Sequence, residues 1–281
     1  MEVAQAVDQV RPSIVQIMLH ASDFSNGLRR QLGRPFISRS LGTGFIVNSG
    51  GYVITARHVV KDINTLSEYF KEAVTKQLYV GLAILNTENM RGNFSIVQFD
   101  MVDEDALHDL VLLKLKRNPF KGEVRSGINI NSKEVPLLFG TVKLNPDRPK
   151  DGAAVGISGY PLSEPVLVTN AGWMATSWAF QTKEVPVPGS PDWFYHLEIA
   201  DSYLADVRAN PGNSGGPVYL IDDGTVIGVC VASKLVPIVD QQGNVVTIDG
   251  QQLNYSSGLT VVVPSKYVID LLKKHSLSWL E

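Results

Sequence analysis

The segment Asn210-Pro211-Gly212-Asn213-Ser214-Gly215-Gly216-Pro217 surrounds one serine with glycine and proline residues. A nucleophilic serine needs a tight, exposed turn, so that its hydroxyl group is accessible and nearby backbone N–H groups point at the same place. Glycine permits the backbone angles of such a turn and allows close approach. The segment therefore indicates a nucleophilic Ser214, although taken alone it could also be a glycine-rich turn between two strands.

Two other segments supply the groups that such a serine would need. His58 follows an apolar run that begins at Tyr52, and Asp109 precedes the apolar run that ends at Leu115. A lone histidine there is usually structural, and a lone aspartate at a strand start is usually a cap. A serine hydroxyl, however, needs a base within hydrogen-bond reach and a carboxylate that orients the base. The chain carries these three chemical types in the order His, Asp, Ser. His108 adjoins Asp109, and strand alternation would turn its side chain to the opposite face.

Most of the chain has the pattern of short strands separated by turn residues. A stretch rich in Pro, Gly, Asn and Asp, from Asn118 to Gly152, divides it into two halves with about six candidate strands each. This pattern indicates an antiparallel barrel or sandwich class, with a cleft between the halves as a natural site for chemistry. Strands are predicted at Val10 to Met18, Gly44 to Val47, Gly51 to Thr55, Leu78 to Leu85, Phe94 to Asp100, Asp109 to Lys116, Ala153 to Gly159, Val166 to Ala175, Tyr195 to Ile199, Pro217 to Ile221, Val226 to Ala232 and Gly258 to Val263.

Helical patterns are scarce. The clearest helix is predicted over Ser265 to Lys274, with Ser265 as its cap and Val268, Leu271 and Leu272 on one face. A weaker helix is predicted over Lys61 to Lys76.

Composition excludes several classes of protein. Hydrophobic residues make up 44% of the 281 residues and charged residues only 19%, which excludes wholesale disorder. A net charge of -3 without a basic stripe argues against a nucleic-acid partner. The single cysteine, Cys230, excludes an intramolecular disulfide framework and any multi-cysteine metal site, and the histidine spacings match no metal motif. We therefore expect no cofactor and no metal.

The location of the protein is predicted from missing signals. The N-terminus carries Glu2 and Asp8 where a signal peptide needs a basic start and an apolar run, and no apolar stretch reaches the length of a membrane span. Unless a leader has been removed from this chain, we expect a cytoplasmic protein with no membrane span.

A different hydrolase class shares part of the serine motif. Gly212-Asn213-Ser214-Gly215-Gly216 also fits G-x-S-x-G, the nucleophile elbow of α/β-hydrolases. That elbow requires a strand, a turn and a helix, and the order Ser, Asp, His. Here a hairpin pattern follows Ser214, and His275 in the closing helix is the only later histidine. The sequence therefore argues against this class.

The chain resembles the chymotrypsin-like (trypsin-fold) serine proteases, and within them it is most similar to the HtrA/Deg family. The resemblance covers roughly Val10 to His275, and Asn213 beside the serine and the lack of disulfides favour the HtrA side. HtrA/Deg proteins usually carry a PDZ domain after the protease, whereas this sequence ends at Glu281, so a protease without a PDZ domain is expected. The motifs that carry the resemblance are Gly42-Thr43-Gly44-Phe45-Ile46-Val47, Ile54-Thr55-Ala56-Arg57-His58-Val59-Val60, Asp109-Leu110-Val111-Leu112-Leu113-Lys114-Leu115, Asn210 to Pro217, and Ser256 to Ser265.

The resemblance implies an all-β fold of two six-stranded antiparallel β-barrels with a C-terminal helix. It places residues 1–135 in a first barrel with the base and the acid, 136–263 in a second barrel with the nucleophile, and 264–281 in a closing helix and tail. It also implies a serine endopeptidase in which Ser214 attacks, His58 transfers the proton and Asp109 orients His58. The backbone N–H groups of Gly212 and Ser214, with Asn213 in the same loop, would form the oxyanion hole.

Substrate and assembly are further implications of the resemblance. The pocket for the side chain before the scissile bond maps to Val207, Arg208, Ala209, Val231, Ala232 and Ser233. This mainly apolar set favours Val, Ile, Leu or Ala; acidic residues would be preferred if Arg208 pointed inward, but we expect it to face solvent. Family members act on unfolded polypeptides in protein quality control and are commonly trimers. The alternative is a latent or non-catalytic protease fold that acts as a binding or chaperone-like scaffold.

Overall fold

Strands dominate the computed structural model, which describes residues 1–22, 36–61, 78–86, 94–124, 127–128, 134–164, 166–186 and 195–280. The strands of the first half are β1 (Ile14–Ser22), β2 (Phe36–Asn48), β3 (Tyr52–Ala56), β4 (Leu78–Asn86), β5 (Phe94–Asp105), β6 (Leu110–Leu115), β7 (Gly127–Ile128) and β8 (Glu134–Val135). Those of the second half are β9 (Ala154–Gly159), β10 (Val168–Pro186), β11 (Tyr195–Asp206), β12 (Pro217–Leu220), β13 (Val226–Pro237), β14 (Thr247–Ile248), β15 (Gln251–Gln252) and β16 (Asn254–Pro264). The α-helices are α1 (Val3–Val10), α2 (Arg57–Lys61) and α3 (Ser265–Lys274).

Two closed antiparallel barrels contain twelve of these strands. The first has the order β1-β2-β3-β6-β5-β4, and the second has the order β10-β11-β16-β13-β12-β9. In the first barrel, Val53 lies opposite Leu113, and both are fully buried. In the second, Cys230 lies opposite Val262, and both are at most 1% exposed. The predicted double barrel is therefore confirmed.

Strand pairings between distant parts of the chain determine that the fold is a barrel and not a sandwich. In the first barrel β1 pairs with both β2 and β4, so that Ile17 lies between Gly42 and Ala83. Closure removes the open edges of the sheet. The boundaries at residues 135 and 263 between the predicted domains stay a prediction.

The beginning of the chain differs from its predicted structure. The stretch from Val10 to Met18 was expected to form one strand, but α1 ends at Val10 and a 3₁₀ turn follows over Arg11–Ser13. Pro12 has its backbone angle φ set near the helical value and lacks an N–H for a strand ladder, so β1 begins only at Ile14. The apolar side chains of Ala6, Val7 and Val10 face the core from the helix.

The closing helix has the predicted bounds and the predicted apolar face, since Val268, Leu271 and Leu272 are buried. The prediction that Ser265 caps it was wrong. Pro264 occupies the cap position, and the Ser265 hydroxyl instead donates to the carbonyl oxygen of Asn145. A buried hydroxyl takes whichever acceptor the packing offers. The weaker helix predicted over Lys61 to Lys76 lies, beyond Lys61, outside the described residues.

The closing helix also contacts the first barrel. Asp103, in β5, accepts from Lys274 Nζ at 2.6 Å and pairs with His275 Nε2 at 2.7 Å. These contacts connect the C-terminal end of α3 to a strand of the first barrel. Among the helices of the described residues, none has both the length and the apolar character needed to cross a membrane.

Candidate active site

His58 and Asp109 both belong to the first barrel, and their side chains are in direct contact beside the cleft between the barrels. His58 is the second residue of α2, directly after β3, and Asp109 immediately precedes β6, the strand that pairs with β3. The distance from His58 Nδ1 to Asp109 Oδ2 is 2.6 Å, and the backbone N–H of His58 donates to Asp109 Oδ1 at 3.0 Å. Because an ionised carboxylate can only accept, Nδ1 must carry the proton in this contact. The Nε2 atom is then the basic nitrogen of the neutral ring.

The backbone around Asp109 has an unusual conformation. Its φ angle is +57°, in the left-handed region that non-glycine residues rarely occupy, and its carbonyl oxygen accepts from the N–H of Arg57 at 2.8 Å. Such strain is often found at functional sites. Asp109 thus makes hydrogen bonds to α2 through both its side chain and its main chain.

His108 has partners of its own. Its Nδ1 lies 2.6 Å from Asp105 Oδ2, and its ring stacks on Tyr267 at a centroid distance of 3.5 Å. These contacts are to Asp105 and Tyr267, while His108 also lines the same cavity as His58 and Asp109. The strand alternation invoked for His108 does not apply. Residues 106–109 form a turn, and the strand begins only at Leu110.

The turn that carries Ser214 belongs to the second barrel. The N–H of Gly215 donates to the carbonyl oxygen of Cys230 at 2.7 Å, and the N–H of Gly216 donates to that of Asn213 at 2.9 Å. Ser214 is half-buried, while Asn213 is only 1% exposed. The turn is therefore attached to β13 directly beside the predicted pocket residues.

The peptide before Gly212 is oriented by a hydrogen bond. The carbonyl oxygen of Pro211 accepts from the N–H of Leu162 at 2.7 Å. In a trans peptide the C=O and N–H bonds point in opposite directions, so the N–H of Gly212 points away from Leu162. The φ angle of Gly212 is +103°, and a Cβ there would lie 2.3 Å from the carbonyl oxygen of Tyr160. Only glycine fits this backbone geometry.

Thr43, in β2, connects the first barrel to the serine turn. Its N–H donates to the carbonyl oxygen of Ser214 at 2.9 Å, and its hydroxyl donates to that of Gly212 at 2.7 Å. The same hydroxyl accepts from the N–H of Tyr160 at 2.9 Å. Thr43 is fully buried. Thr43 lies in the Gly42–Val47 motif, but the sequence alone does not show its role, because these contacts join residues that are far apart in the chain.

Close packing brings the serine turn near the helix that carries the histidine. A Cβ on Gly42 would lie 2.7 Å from Val59 Cγ2 and 2.8 Å from the carbonyl oxygen of Ser214. Gly42 therefore packs against both Ser214 and Val59, the neighbour of His58, and leaves no room for a side chain. In the described part of the structure no hydrogen bond joins Ser214 Oγ to the His58 ring. In free enzymes this contact is often long and shortens when substrate binds.

A cavity of about 310 Å³ lies between the barrels beside the His58–Asp109 pair. Its walls include Val231 and Ala232 from β13 and Asp201 from β11, but they include neither Ser214 nor Arg208. Within the described ranges, no group of three or more His, Cys, Asp or Glu side chains is arranged to hold a metal ion.

The residues predicted for the specificity pocket differ in exposure. Val207, Ala209 and Val231 are buried, whereas Arg208 and Ala232 are exposed. The half-buried Ser233 donates from its hydroxyl to the carbonyl oxygen of Ala209 at 2.9 Å. This hydrogen bond joins β13 to the segment before the serine turn, and these are the two segments predicted to line the specificity pocket. Cys230 is 1% exposed, and burial raises the pKa of its thiol to about 12, so it is a small buried apolar residue.

The positive charge of Arg57, the residue before His58, is balanced by an ion pair with Glu104. Arg57 Nη2 donates to Glu104 Oε1 at 2.9 Å, and Arg57 Nε lies 2.7 Å from Glu104 Oε2. Hydrogen bonding to Glu104 raises the pKa of Arg57, and the same contact lowers the pKa of Glu104. The Arg57 side chain therefore pairs with β5 rather than reaching toward Ser214.

Comparisons with known proteins agree with this architecture. Residues 42–229 match the trypsin-like peptidase domain family. A probable periplasmic serine endoprotease DegP-like from Pseudomonas fulva (strain 12-X) is 29% identical over 198 residues, covering 70% of this chain and 30% of the relative. The serine protease HTR4 of Bos taurus is 27% identical over 229 residues, covering 81% of this chain and 36% of the relative. The chain thus spans about a third of the length of these curated relatives.

A solved structure is similar over nearly the whole chain. The HtrA-type protease AlgW with decapeptide has a TM-score of 0.55 and 18% identity, covering 98% of this chain and 67% of that one. At this identity the likeness concerns the fold, which is the trypsin fold of HtrA-type proteases.

The expectation of a cytoplasmic protein was wrong. The bacterial relatives from Pseudomonas fulva (strain 12-X), Marinomonas sp. (strain MWYL1) and Pseudomonas putida (strain W619) are all described as probable periplasmic endoproteases. The expectation rested on the residues at the start of this sequence, which say nothing about a segment that precedes them in a longer chain.

Proposed function

This chain belongs to the trypsin-like peptidase domain family, and on that premise we propose that it is a serine endopeptidase that uses Ser214, His58 and Asp109. The observation that carries the proposal is the orientation of His58. Both carboxylate oxygens of Asp109 bind this one residue, at its ring and at its backbone N–H. The ring is thereby held with Nε2 as its basic atom, which a base for Ser214 requires.

The proposed reaction has two stages. His58 Nε2 takes the proton of the Ser214 hydroxyl while Ser214 Oγ bonds to the carbonyl carbon of the scissile peptide. The protonated ring then donates that proton to the leaving amine, and an acyl-enzyme remains. Water, activated by the same base, adds to the acyl carbon, and Ser214 leaves with its proton restored. Asp109 stabilises the protonated ring in both stages.

The N–H groups of Gly212 and Ser214 are the proposed oxyanion donors. The hydrogen bond from Leu162 to the Pro211 carbonyl supports this role for Gly212, because it turns the following N–H away from Leu162. A preorganised donor of this kind contributes about 2.7–4 kcal/mol to transition-state stabilisation. The oxyanion would form where both N–H groups converge, beside Ser214.

An extended polypeptide is the proposed substrate. One edge of β13 pairs with β16, while β12 pairs with the other edge only as far as Val229. Cys230 is bonded to the serine turn on that side, so within the described ranges the unpaired edge begins at Val231. A polypeptide can add a strand to such an edge through its main chain. The buried Val207, Ala209 and Val231 then favour a small or medium apolar residue before the scissile bond.

The setting of this activity is proposed from the relatives. Their descriptions as periplasmic support an extracytoplasmic compartment for this chain, and their DegP-like character supports action on unfolded or exposed segments in protein quality control. Assembly as a trimer stays a prediction that light scattering of the purified protein would test.

A fluorophosphonate probe tests the proposed activity, because it labels only an activated serine. We expect labelling of the wild-type protein and cleavage of unfolded casein, both lost in Ser214→Ala. Ser278→Ala, which changes an exposed serine in the C-terminal tail, is the matched control and should keep both. Labelling that survives in Ser214→Ala would place the nucleophile elsewhere. Absence of labelling and cleavage, with and without activating peptides, would favour the non-catalytic scaffold.

A further inference from the structure

Beyond the serine turn, β13 and β16 continue together as a projecting arm. Their pairing extends from Ser233 opposite Thr260 to Pro237 opposite Asn254. The connection between them folds into the small β14–β15 hairpin and a bridge between Val239 and Val245. Residues 234–257 form this arm. Because a strand rises about 3.3 Å per residue, the four residues after Ser233 lengthen β13 by about 13 Å.

The arm exposes many apolar side chains. The exposed fraction is 61% for Leu235 and 52% for Val239. Others in the same segment are Ile238, Val245, Ile248 and Tyr255. The arm has only three charged residues, Lys234, Asp240 and Asp249. Clustered exposed apolar residues mark interaction sites, and the near absence of charge disfavours an anionic partner such as nucleic acid.

The open edge of β13 runs without interruption from the candidate active site into the arm. In the described residues, the side of β13 that faces away from β16 has no ladder partner after Val229. A bound strand that places its scissile bond at Ser214 could in principle run either way. A parallel strand would carry its upstream residues toward Val229, where β12 already lies. An antiparallel strand would carry them past Ser233 toward Leu235.

We propose that the arm binds the substrate segment upstream of the scissile bond, as an antiparallel strand that contacts Leu235. This inference rests on the proposed endopeptidase function and extends it to the substrate's length. With the residue before the scissile bond beside Val231, steps of two along the ladder place about the fifth upstream residue at Leu235. Pro237 has no N–H to donate, so the ladder ends near the seventh. An uncharged, apolar polypeptide fits this surface.

Two quenched fluorogenic peptides with the same cleavage site test the proposal. One has four residues upstream of the scissile bond, and the other has eight, with leucine at the fifth. We expect kcat/KM of the wild-type protein to be about tenfold higher for the longer peptide. N-methylation of the backbone amides at the fifth to seventh upstream positions should remove most of that advantage, since it removes donors from the ladder.

Two matched variants test whether the higher kcat/KM of the longer peptide depends on the arm. In Leu235→Asn the ratio of the two kcat/KM values should fall to about one. In Leu280→Asn, which changes an exposed leucine of the C-terminal tail, the ratio should stay about tenfold. Thermal unfolding of both variants checks that the fold is intact, which is expected because both side chains are exposed.

Two outcomes would overturn the proposal: equal kcat/KM for the two wild-type peptides, or an unchanged ratio in Leu235→Asn. The mass of Leu235→Asn in light scattering divides the second outcome into an unchanged mass and a lower mass. A lower mass together with the unchanged ratio would assign the arm to contact with a second copy. Failure of the proposed function is a different result, because neither peptide would then be cleaved and the fluorophosphonate would not label Ser214.

Discussion

The backbone N–H of Thr43, in the first barrel, donates a 2.9 Å hydrogen bond to the carbonyl oxygen of Ser214, in the second barrel. The hydroxyl of Thr43 binds the carbonyl oxygen of Gly212 two residues earlier. The position of the serine turn relative to His58 therefore depends on a contact between the barrels. Any shift of Thr43 would move the candidate nucleophile and the candidate oxyanion donor together.

Removal of the Thr43 hydroxyl should slow catalysis. Thr43→Val keeps the shape and the backbone N–H but removes the hydroxyl that binds the Tyr160 N–H and the Gly212 carbonyl oxygen. A buried group without its partner costs about 1–3 kcal/mol. Because the turn carries the oxyanion donors, we expect this cost to fall on the transition state and to lower kcat/KM about five- to 150-fold. The loss should appear in kcat rather than KM, because the turn acts on the transition state. Thr43→Ser restores the hydroxyl and should recover most of the rate. Equal losses in both variants would contradict this role.

A side chain at Gly212 should disrupt the oxyanion turn. In Gly212→Ala the Cβ would meet the Tyr160 carbonyl oxygen at 2.3 Å with φ at +103°. We expect kcat to fall about 100- to 1000-fold, as when an oxyanion donor is lost. Gly152→Ala is the control, because Gly152 also has a positive φ, +79°, but nothing lies within 4 Å of its Cβ position. That variant should lower only the unfolding temperature.

The preference for the residue before the scissile bond should not depend on Arg208. Its side chain is exposed, whereas three of the other predicted pocket residues, Val207, Ala209 and Val231, are buried and apolar. We expect peptides with valine at that position to be cleaved faster than those with glutamate, with the same ratio in the wild type, in Arg208→Ala and in the control Arg39→Ala. A tenfold drop in glutamate cleavage restricted to Arg208→Ala would show that the guanidinium reaches the pocket.

The link between α3 and the first barrel should weaken in acid. Hydrogen bonds from Lys274 and then His275 lower the pKa of Asp103 to about 2 from its usual 3.8. A lowered folded-state pKa adds stability that is present above pH 3.8 and is lost as the pH falls toward 2. In urea unfolding, Asp103→Asn should be less stable than the wild type by about 1 kcal/mol at pH 6. The difference should shrink between pH 4 and pH 2. The exposed Asp222→Asn should show no such trend.

Much of the fold was predictable because local sequence carries it. The alternation of apolar residues and turns predicted the strands, and the 3.6-residue spacing predicted the bounds and buried face of α3. The start of the chain was not predictable in this way. Apolar residues around Val10 fit a strand or a helix equally well in isolation, and packing of α1 on the core decided between them.

The sequence by itself determined which residue types were available for chemistry, namely a serine among glycines, a histidine after one strand and an aspartate before another. It also determined that no disulfide within the chain supports the fold. Only the tertiary structure decided that His58 and Asp109 touch, that Thr43 binds the serine turn and that Arg208 is exposed. It also decided that, among the residues the structure describes, no strand pairs with the outer edge of β13 beyond Cys230. These are contacts between residues far apart in the chain, so closure and packing of the two barrels determine them rather than any local preference.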